Sequence, residues 1–171
     1  MDIKDKIRVI EDFPTEGISF KDITTLIKDK DAFACTVDMM CGAVIEMPDV
    51  IVAAEARGFI FGSAMAYKLG LGFVPIRKAG KLPAETAGIE YVLEYGSDEM
   101  QIQKDAISKG TKVLLVDDLI ATGGTMLSAA RIVEKLHGEV SQIISLIELT
   151  ELNGRAILSD YDVTTFVKYA H

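Results

Sequence analysis

Two adjacent carboxylates, Asp117 and Asp118, are followed across Leu119-Ile120 by Ala121-Thr122-Gly123-Gly124-Thr125. Glycines at 123 and 124 allow unusual dihedrals and let a ligand come close to the backbone. Where such a turn opens a helix, its free N–H groups and the hydroxyls of Thr122 and Thr125 make a cradle for a phosphate. Carboxylates do not bind phosphate, but they accept hydrogen bonds from ribose hydroxyls. The chemistry this pairing suits is the binding of a sugar phosphate. A solvated acidic turn with a threonine helix cap is the alternative reading of the same residues.

The flanking residues say what must position this stretch. Val113-Leu114-Leu115-Val116 reads as a strand buried on both faces and ending at the aspartates, and residues 126–136 carry apolar side chains at helical spacing. In open α/β sheets, ligands bind at the carboxyl ends of such central strands. The arrangement recurs upstream. Val50-Ile51-Val52-Ala53-Ala54 predicts a second buried strand, running into Glu55-Ala56-Arg57-Gly58 and a helix over 59–69 that stops at Gly70. Phe73-Val74-Pro75-Ile76 predicts a third strand, ending at Arg77-Lys78. Further strands are expected over 140–148 and 163–167, a helix over 33–47 ending at Pro48, and a short amphipathic helix over 2–10 with Ile3, Ile7 and Ile10 on one face. The fold class expected is α/β: a mostly parallel, twisted central sheet with helices on both faces.

In a parallel sheet these strand ends share one edge, where Arg57, Arg77, Lys78 and, just beyond, Lys81 would face the cradle. Such a local concentration of positive charge suits a diphosphate with Mg²⁺. Magnesium is typically held by few protein groups and many phosphate and water oxygens, so no carboxylate cage is expected.

Two segments interrupt the alternation. Residues 78–100 are Gly/Pro-punctuated and then read as a hairpin, either a solvated excursion or a mobile flap. Residues 12–23 carry Phe13 and Phe20 in a Pro/Gly-punctuated loop, either pinned to the core or presenting an aromatic face to a planar ligand.

The 171 residues fit one domain with a proper core, and 49% hydrophobic and 26% charged residues are ordinary for a globular protein. A net charge of −8 argues against nonspecific nucleic-acid binding. The charged start, Met1-Asp2-Ile3-Lys4-Asp5-Lys6, lacks the apolar run of a signal peptide. No apolar run approaches the roughly 20 residues needed to span a bilayer. Cys35 and Cys41 read as thiols on a buried helix face rather than a disulfide, and His137 and His171 lack the partners of a zinc site. The expected location is the cytoplasm, with no membrane or nucleic-acid partner.

Residues 113–125 resemble the phosphoribosyl-diphosphate (PRPP) binding motif of the type I phosphoribosyltransferases. No Gly-Lys-Ser/Thr follows, as in a Walker A loop, and Gly-x-Gly-x-x-Gly is missing. The wider resemblance is to the adenine phosphoribosyltransferases and covers nearly the whole chain. It is carried by Asp12-Phe13-Pro14, residues 17–23, Glu55-Ala56-Arg57-Gly58-Phe59-Ile60-Phe61-Gly62, residues 72–78, Gly80-Lys81-Leu82-Pro83, Tyr91-Val92-Leu93-Glu94-Tyr95-Gly96, Ile147-Glu148-Leu149 and Leu152-Asn153-Gly154-Arg155.

That resemblance implies a single domain over 1–171, with a base-recognition hood over about 1–30 and a flexible flap over about 78–104. It implies that Ala121, Thr122, Gly123, Gly124 and Thr125 hold the 5′-phosphate, and Asp117 and Asp118 the ribose hydroxyls. The diphosphate would be held by the 54–58 loop, with Ala54, Glu55, Ala56 and Arg57 and ending at Gly58, and by Arg77, Lys78 and Lys81. Phe20 would stack on adenine, main-chain groups of Ser19 and Lys21 would read its edge, and Leu149 would lie on the other side. Glu94 and Tyr95 would come down with the flap, and Glu94, Arg57, Lys81 and Tyr95 would be catalytic. The implied reaction is adenine plus PRPP to AMP and diphosphate, dependent on Mg²⁺ with no direct protein ligand, in a homodimer. Glu11 and Glu16 stand where proline is usual in the family, Ala79 where it is common, and Lys21 where arginine is more familiar. Phosphoribosyl transfer to another purine and a PRPP-sensing regulatory module are the rival readings.

Overall fold

The protein is described from a computed structural model that covers residues 1–93 and 96–170, with side chains outside 91–98. In chain order the elements are β1 (Arg8–Ile10), β2 (Phe20–Asp22), α1 (Thr24–Ile27), α2 (Lys30–Gly42), β3 (Val50–Ala54), α3 (Gly58–Leu69) and β4 (Gly72–Lys78). The hairpin strands β5 (Thr86–Leu93) and β6 (Gly96–Gln103) follow. Then come β7 (Lys112–Ile120), α4 (Gly124–Lys135), β8 (Glu139–Leu149), α5 (Gly154–Ile157) and β9 (Val163–Tyr169).

Seven strands form one sheet in the order β5-β6-β4-β3-β7-β8-β9. The run from β4 to β9 is parallel, and the hairpin adds to its edge antiparallel. Alternation along β3 shows why the central strands read as continuous apolar runs. Ile51 and Ala53 face a core shared with Phe61 and Met65 of α3, while Val52 and Ala54 face another shared with Met126, Ala130 and Val133 of α4. Both faces are covered, so both sets of side chains must be apolar. From β3 the chain crosses through α3 to β4 on one side; from β7 it crosses through α4 to β8 on the other. The strand order therefore reverses between β3 and β7, which opens a crevice at their carboxyl ends.

Four expectations need correction. Residues 2–10 hold only a single 3₁₀ turn, Lys4–Lys6, after which β1 pairs antiparallel with β2. Ile3 and Ile7 are still buried, but a partner strand captures the following backbone, where β-branched Val9 and Ile10 fit a sheet better than a helix. The second helix ends at Gly42 rather than Pro48. Beyond it the Gln142 side chain of β8 donates to the Ala43 carbonyl and accepts from Ile45 N–H, turning the chain away from helix. Cys35 and Cys41 are free thiols as expected, yet Cys35 is exposed on α2 and Cys41 is half-buried. The central strand does not stop at the aspartates: Leu119 and Ile120 continue the ladder against Ile147 and Glu148, so Asp117 and Asp118 lie within β7.

Candidate active site

The crevice holds the cradle. Residues 119–126 line a cavity of about 170 Å³ at the amino end of α4. Gly123 precedes the helix at φ +85°, a region costly for residues with a Cβ. An added Cβ there would also lie 2.7 Å from the Gly154 carbonyl. Gly124 is different: its φ is ordinary, and an added Cβ would meet only Thr122 Oγ1, at 3.8 Å. Its glycine is required by neither dihedral nor packing, and the space it leaves lies beside the cradle. The helix has no side-chain cap and no acidic residue in its first turn. Its first-turn N–H groups and the positive end of its dipole are left for an anion.

Asp117 and Asp118 flank the cradle at 8% and 5% exposure. Asp117 Oδ1 accepts from Asp118 N–H at 2.8 Å. Burial, and then the Asp118 charge, pushes the Asp117 carboxyl well above the usual carboxylate range. Burial raises Asp118 as well, against the pull of Arg57. Arg57 Nε stands 2.9 Å from Asp118 Oδ2, but the pair is not aligned as a hydrogen bond, and this oxygen has no hydrogen-bond partner among the described residues. Gly58, expected from the family resemblance only as the end of the 54–58 diphosphate loop, makes the arrangement possible: a Cβ there would sit 2.8 Å from Asp117 Oδ1. Its place after Arg57 in the strand-end loop was the available signal.

Arg57 joins this acidic pair to β2. Its Nη1 donates to the Lys21 carbonyl at 3.1 Å, and its guanidinium lies over the Phe20 ring, 5.0 Å from the centroid. Phe13, half-exposed rather than pinned in the core, meets the same ring edge-on at 5.2 Å. Ser19 and Leu149 come together with Gly17, Ile18 and Leu152 around a cavity of about 190 Å³. The Lys21 side chain is buried, and Nζ donates to the Ser19 carbonyl at 2.9 Å and to its hydroxyl at 2.6 Å. Burial lowers the pKa of that ammonium.

The remaining cations do not face the cradle unpaired. Glu55 Oε2 stands 3.2 Å from Arg77 Nη2 and 3.3 Å from Lys81 Nζ, and Oε1 accepts from Lys78 N–H at 2.6 Å. Burial raises the Glu55 pKa, but the Lys78 amide, Lys81 and Arg77 outweigh it and hold the carboxyl low. Two of the expected basic side chains, Arg77 and Lys81, thus share one carboxylate from the adjoining strand end. Ala54 closes β3 in the core, and Ala56 is exposed in the loop beyond it. Glu94 and Tyr95 lie outside the described residues.

An uncapped helix start beside a buried acid pair, at the switch point of a parallel sheet, is the setting in which a sugar phosphate binds, and the class it points to is that of the phosphoribosyl-transferring proteins. The model of the phosphoribosyl transferase domain matches residues 26–168. Adenine phosphoribosyltransferases of Clostridium novyi and Clostridium kluyveri are 58% and 56% identical over 170 residues, covering 99% of this chain and of each relative. The crystal structure of adenine phosphoribosyltransferase from Thermoanaerobacter pseudethanolicus superposes with a TM-score of 0.95, at 53% identity and 98% coverage of both chains. The chain belongs to the phosphoribosyltransferase family and, within it, to the adenine phosphoribosyltransferases.

Proposed function

We propose that this chain transfers the 5-phosphoribosyl group from PRPP to adenine, giving AMP and diphosphate, with the residue roles that follow. The carrying observation is the uncapped amino end of α4, with Gly123 at positive φ, beside the buried Asp117–Asp118 pair. Residues 121–125 hold the 5′-phosphate through backbone N–H and threonine hydroxyl donors, and Asp117 and Asp118 accept from the ribose hydroxyls. Arg57, Arg77, Lys78 and Lys81, with the loop of Ala54, Glu55 and Ala56, take the diphosphate. Adenine enters between Phe20 and Leu149, its edge read by the main chain of Ser19 and Lys21.

In the reaction the anomeric carbon releases diphosphate, which keeps the bonding electron pair, and the imidazole nitrogen of adenine forms the new bond. Arg57, Arg77 and Lys81 stabilise the charge that gathers on the leaving group. Glu94 accepts the proton that adenine loses, and Tyr95 comes down with it on the flap, roles carried over from the family resemblance.

Among the described residues no group of three or more His, Cys, Asp or Glu side chains forms a metal site. Mg²⁺ would be carried on PRPP, held by phosphate and water oxygens with few protein groups, and the Asp117 and Asp118 carboxylates beside the cradle are the oxygen donors of this chain nearest to it in sequence. When bound, the ion neutralises diphosphate charge.

The chain works as one domain over 1–171, with the hood and flap serving one crevice, and as a homodimer. No helix among the described residues is long and apolar enough to cross a membrane. Two free thiols suit a reducing compartment, here taken as the cytoplasm. The test is an assay with PRPP, Mg²⁺ and competing adenine, hypoxanthine and guanine. AMP should dominate, because a six-position oxygen reverses the pattern read by the main chain, a penalty that can reach roughly 10⁴-fold. Comparable turnover of hypoxanthine would assign the chain to another purine, and no turnover with PRPP bound would favour a sensing module.

A further inference from the structure

Behind the cradle stands a second turn, which the proposed reaction leaves unused. Asn153 adopts φ +52°, and Gly154 follows it with its backbone set against the cradle. A Cβ on Gly154 would lie 2.5 Å from the Ala121 carbonyl and 2.9 Å from Gly123 N; a Cβ on Gly123 would lie 2.7 Å from the Gly154 carbonyl. The two glycines interlock, so the position of one backbone sets the position of the other.

The turn itself is weakly built. Asn153 makes no side-chain cap, and α5 is a single helical turn. Its far end is anchored by Leu158, which is fully buried. Its near end is anchored by Arg155. The guanidinium Nε donates to both carboxylate oxygens of Glu148, at 2.8 and 2.9 Å, Nη1 to the Val163 carbonyl at 2.9 Å, and Nη2 to Thr165 Oγ1 at 2.8 Å. Thr165 Oγ1 completes the ring by donating to Glu148 Oε2 at 2.6 Å. Glu148 is buried, and burial raises its pKa, but Arg155 and Thr165 outweigh this and hold the carboxyl below its usual range. A planar, five-donor group joins β8, β9 and the turn in one fixed geometry, which an ammonium cannot reproduce.

We propose that Arg155 is a positioning residue for the phosphate cradle. Tied to Glu148, Thr165 and the Val163 carbonyl, it holds the Gly154 backbone against Gly123 and thereby aims the amide donors that open α4. This rests on the assignment of residues 121–125 to the 5′-phosphate.

The experiment is calorimetry on the full chain with two probes, ribose 5-phosphate and inorganic diphosphate with Mg²⁺, in the parent, Thr165→Val, Thr165→Ser and Arg155→Lys. Thr165→Val keeps side-chain volume and removes only the hydroxyl, so it tests the network even where Arg155→Lys fails to fold. The Kd for ribose 5-phosphate should rise by about 5- to 50-fold in Thr165→Val and more in Arg155→Lys, and return near the parent value in Thr165→Ser. The Kd for diphosphate, whose cations belong to other loops, should move less than about twofold. Equal weakening of both probes, or a fall in Tm with ribose 5-phosphate affinity unchanged, would overturn the inference and leave the network a purely structural clasp. A parent that binds diphosphate but not ribose 5-phosphate would overturn the cradle assignment itself, and this inference with it.

Discussion

At the start of α4 the first turn carries no acid and no side-chain cap, whereas at the neighbouring strand ends Arg57 pairs with Asp118, and Arg77 and Lys81 share Glu55. Both regions are proposed to bind the phosphates of one substrate, but their readiness differs. The cradle is fixed by backbone geometry and by glycines interlocked with a neighbouring turn, so binding there requires little rearrangement. The cations must exchange an internal carboxylate for an external phosphate. On the proposed assignment, such a site holds its substrate by one end and reorganises around the other, where the bond breaks. Positive side chains at one sheet edge do not add in full when an acid of the same loops already pairs with them.

The largest effect should come from filling the cradle. Gly124→Val should leave the fold intact, since its Cβ has open space, and weaken PRPP by about 10²-fold or more in calorimetry. Unchanged affinity would mean that the fixed half does not hold the phosphate.

A second break separates stability from binding in the acid pair. Because burial raises the Asp117 pKa in the folded state, its ionisation costs stability as pH rises above the unfolded value. Asp117→Asn removes that cost while its amide oxygen can still accept from Asp118 N–H. The variant should melt a few degrees higher at neutral pH and bind PRPP at least about 10-fold more weakly, through the loss of a charged acceptor. A lower Tm would show that the buried carboxylate supports the fold.

Gly123→Ala tests the interlock. It forces a Cβ to positive φ and into the Gly154 carbonyl, so it should destabilise the chain by at least about 1 kcal/mol in denaturant unfolding, whereas Gly124→Ala should lie within about 0.5 kcal/mol of the parent. Equal effects would remove the distinction between the two glycines.

The smallest effect concerns β2. Hydrogen bonding from Thr24 holds the Asp22 carboxyl at about 2 instead of 3.8, with burial opposing and Arg8 adding to the effect. A depressed folded pKa contributes stability above the unfolded value and loses it as pH falls through the folded one. The Tm advantage of the parent over Asp22→Asn should therefore shrink between about pH 5 and about pH 2. A constant difference would mean that the carboxylate charge plays no part in bracing β2.

The sequence made some of this legible and left the rest obscure for physical reasons. The buried strands 50–54 and 113–116 and the helix stop at Gly70 declared themselves, because apolar runs and a left-handed cap have few other uses. The opening nine residues misled, since Ile3, Ile7 and Ile10 match a helical period while the backbone pairs with a strand ten residues further on. The aspartates and the cradle glycines were visible from local chemistry. Their support was not: Gly58 under Asp117, and Arg155 behind Gly123, act across loops that only the folded sheet brings together. The pairing of Glu55 with Arg77 and Lys81 was hidden for the same reason, although all three residues had been singled out.

The contrast between a ready cradle and self-paired cations is tested most directly by comparing Glu55→Gln with the parent, titrating each with inorganic diphosphate and Mg²⁺ and, separately, with ribose 5-phosphate. Removing the internal carboxylate charge should release Arg77 and Lys81, tightening diphosphate by about 3- to 10-fold, while ribose 5-phosphate stays within about twofold. Weaker diphosphate binding in Glu55→Gln would contradict the account, because Glu55 would then be aiming those cations and not occupying them.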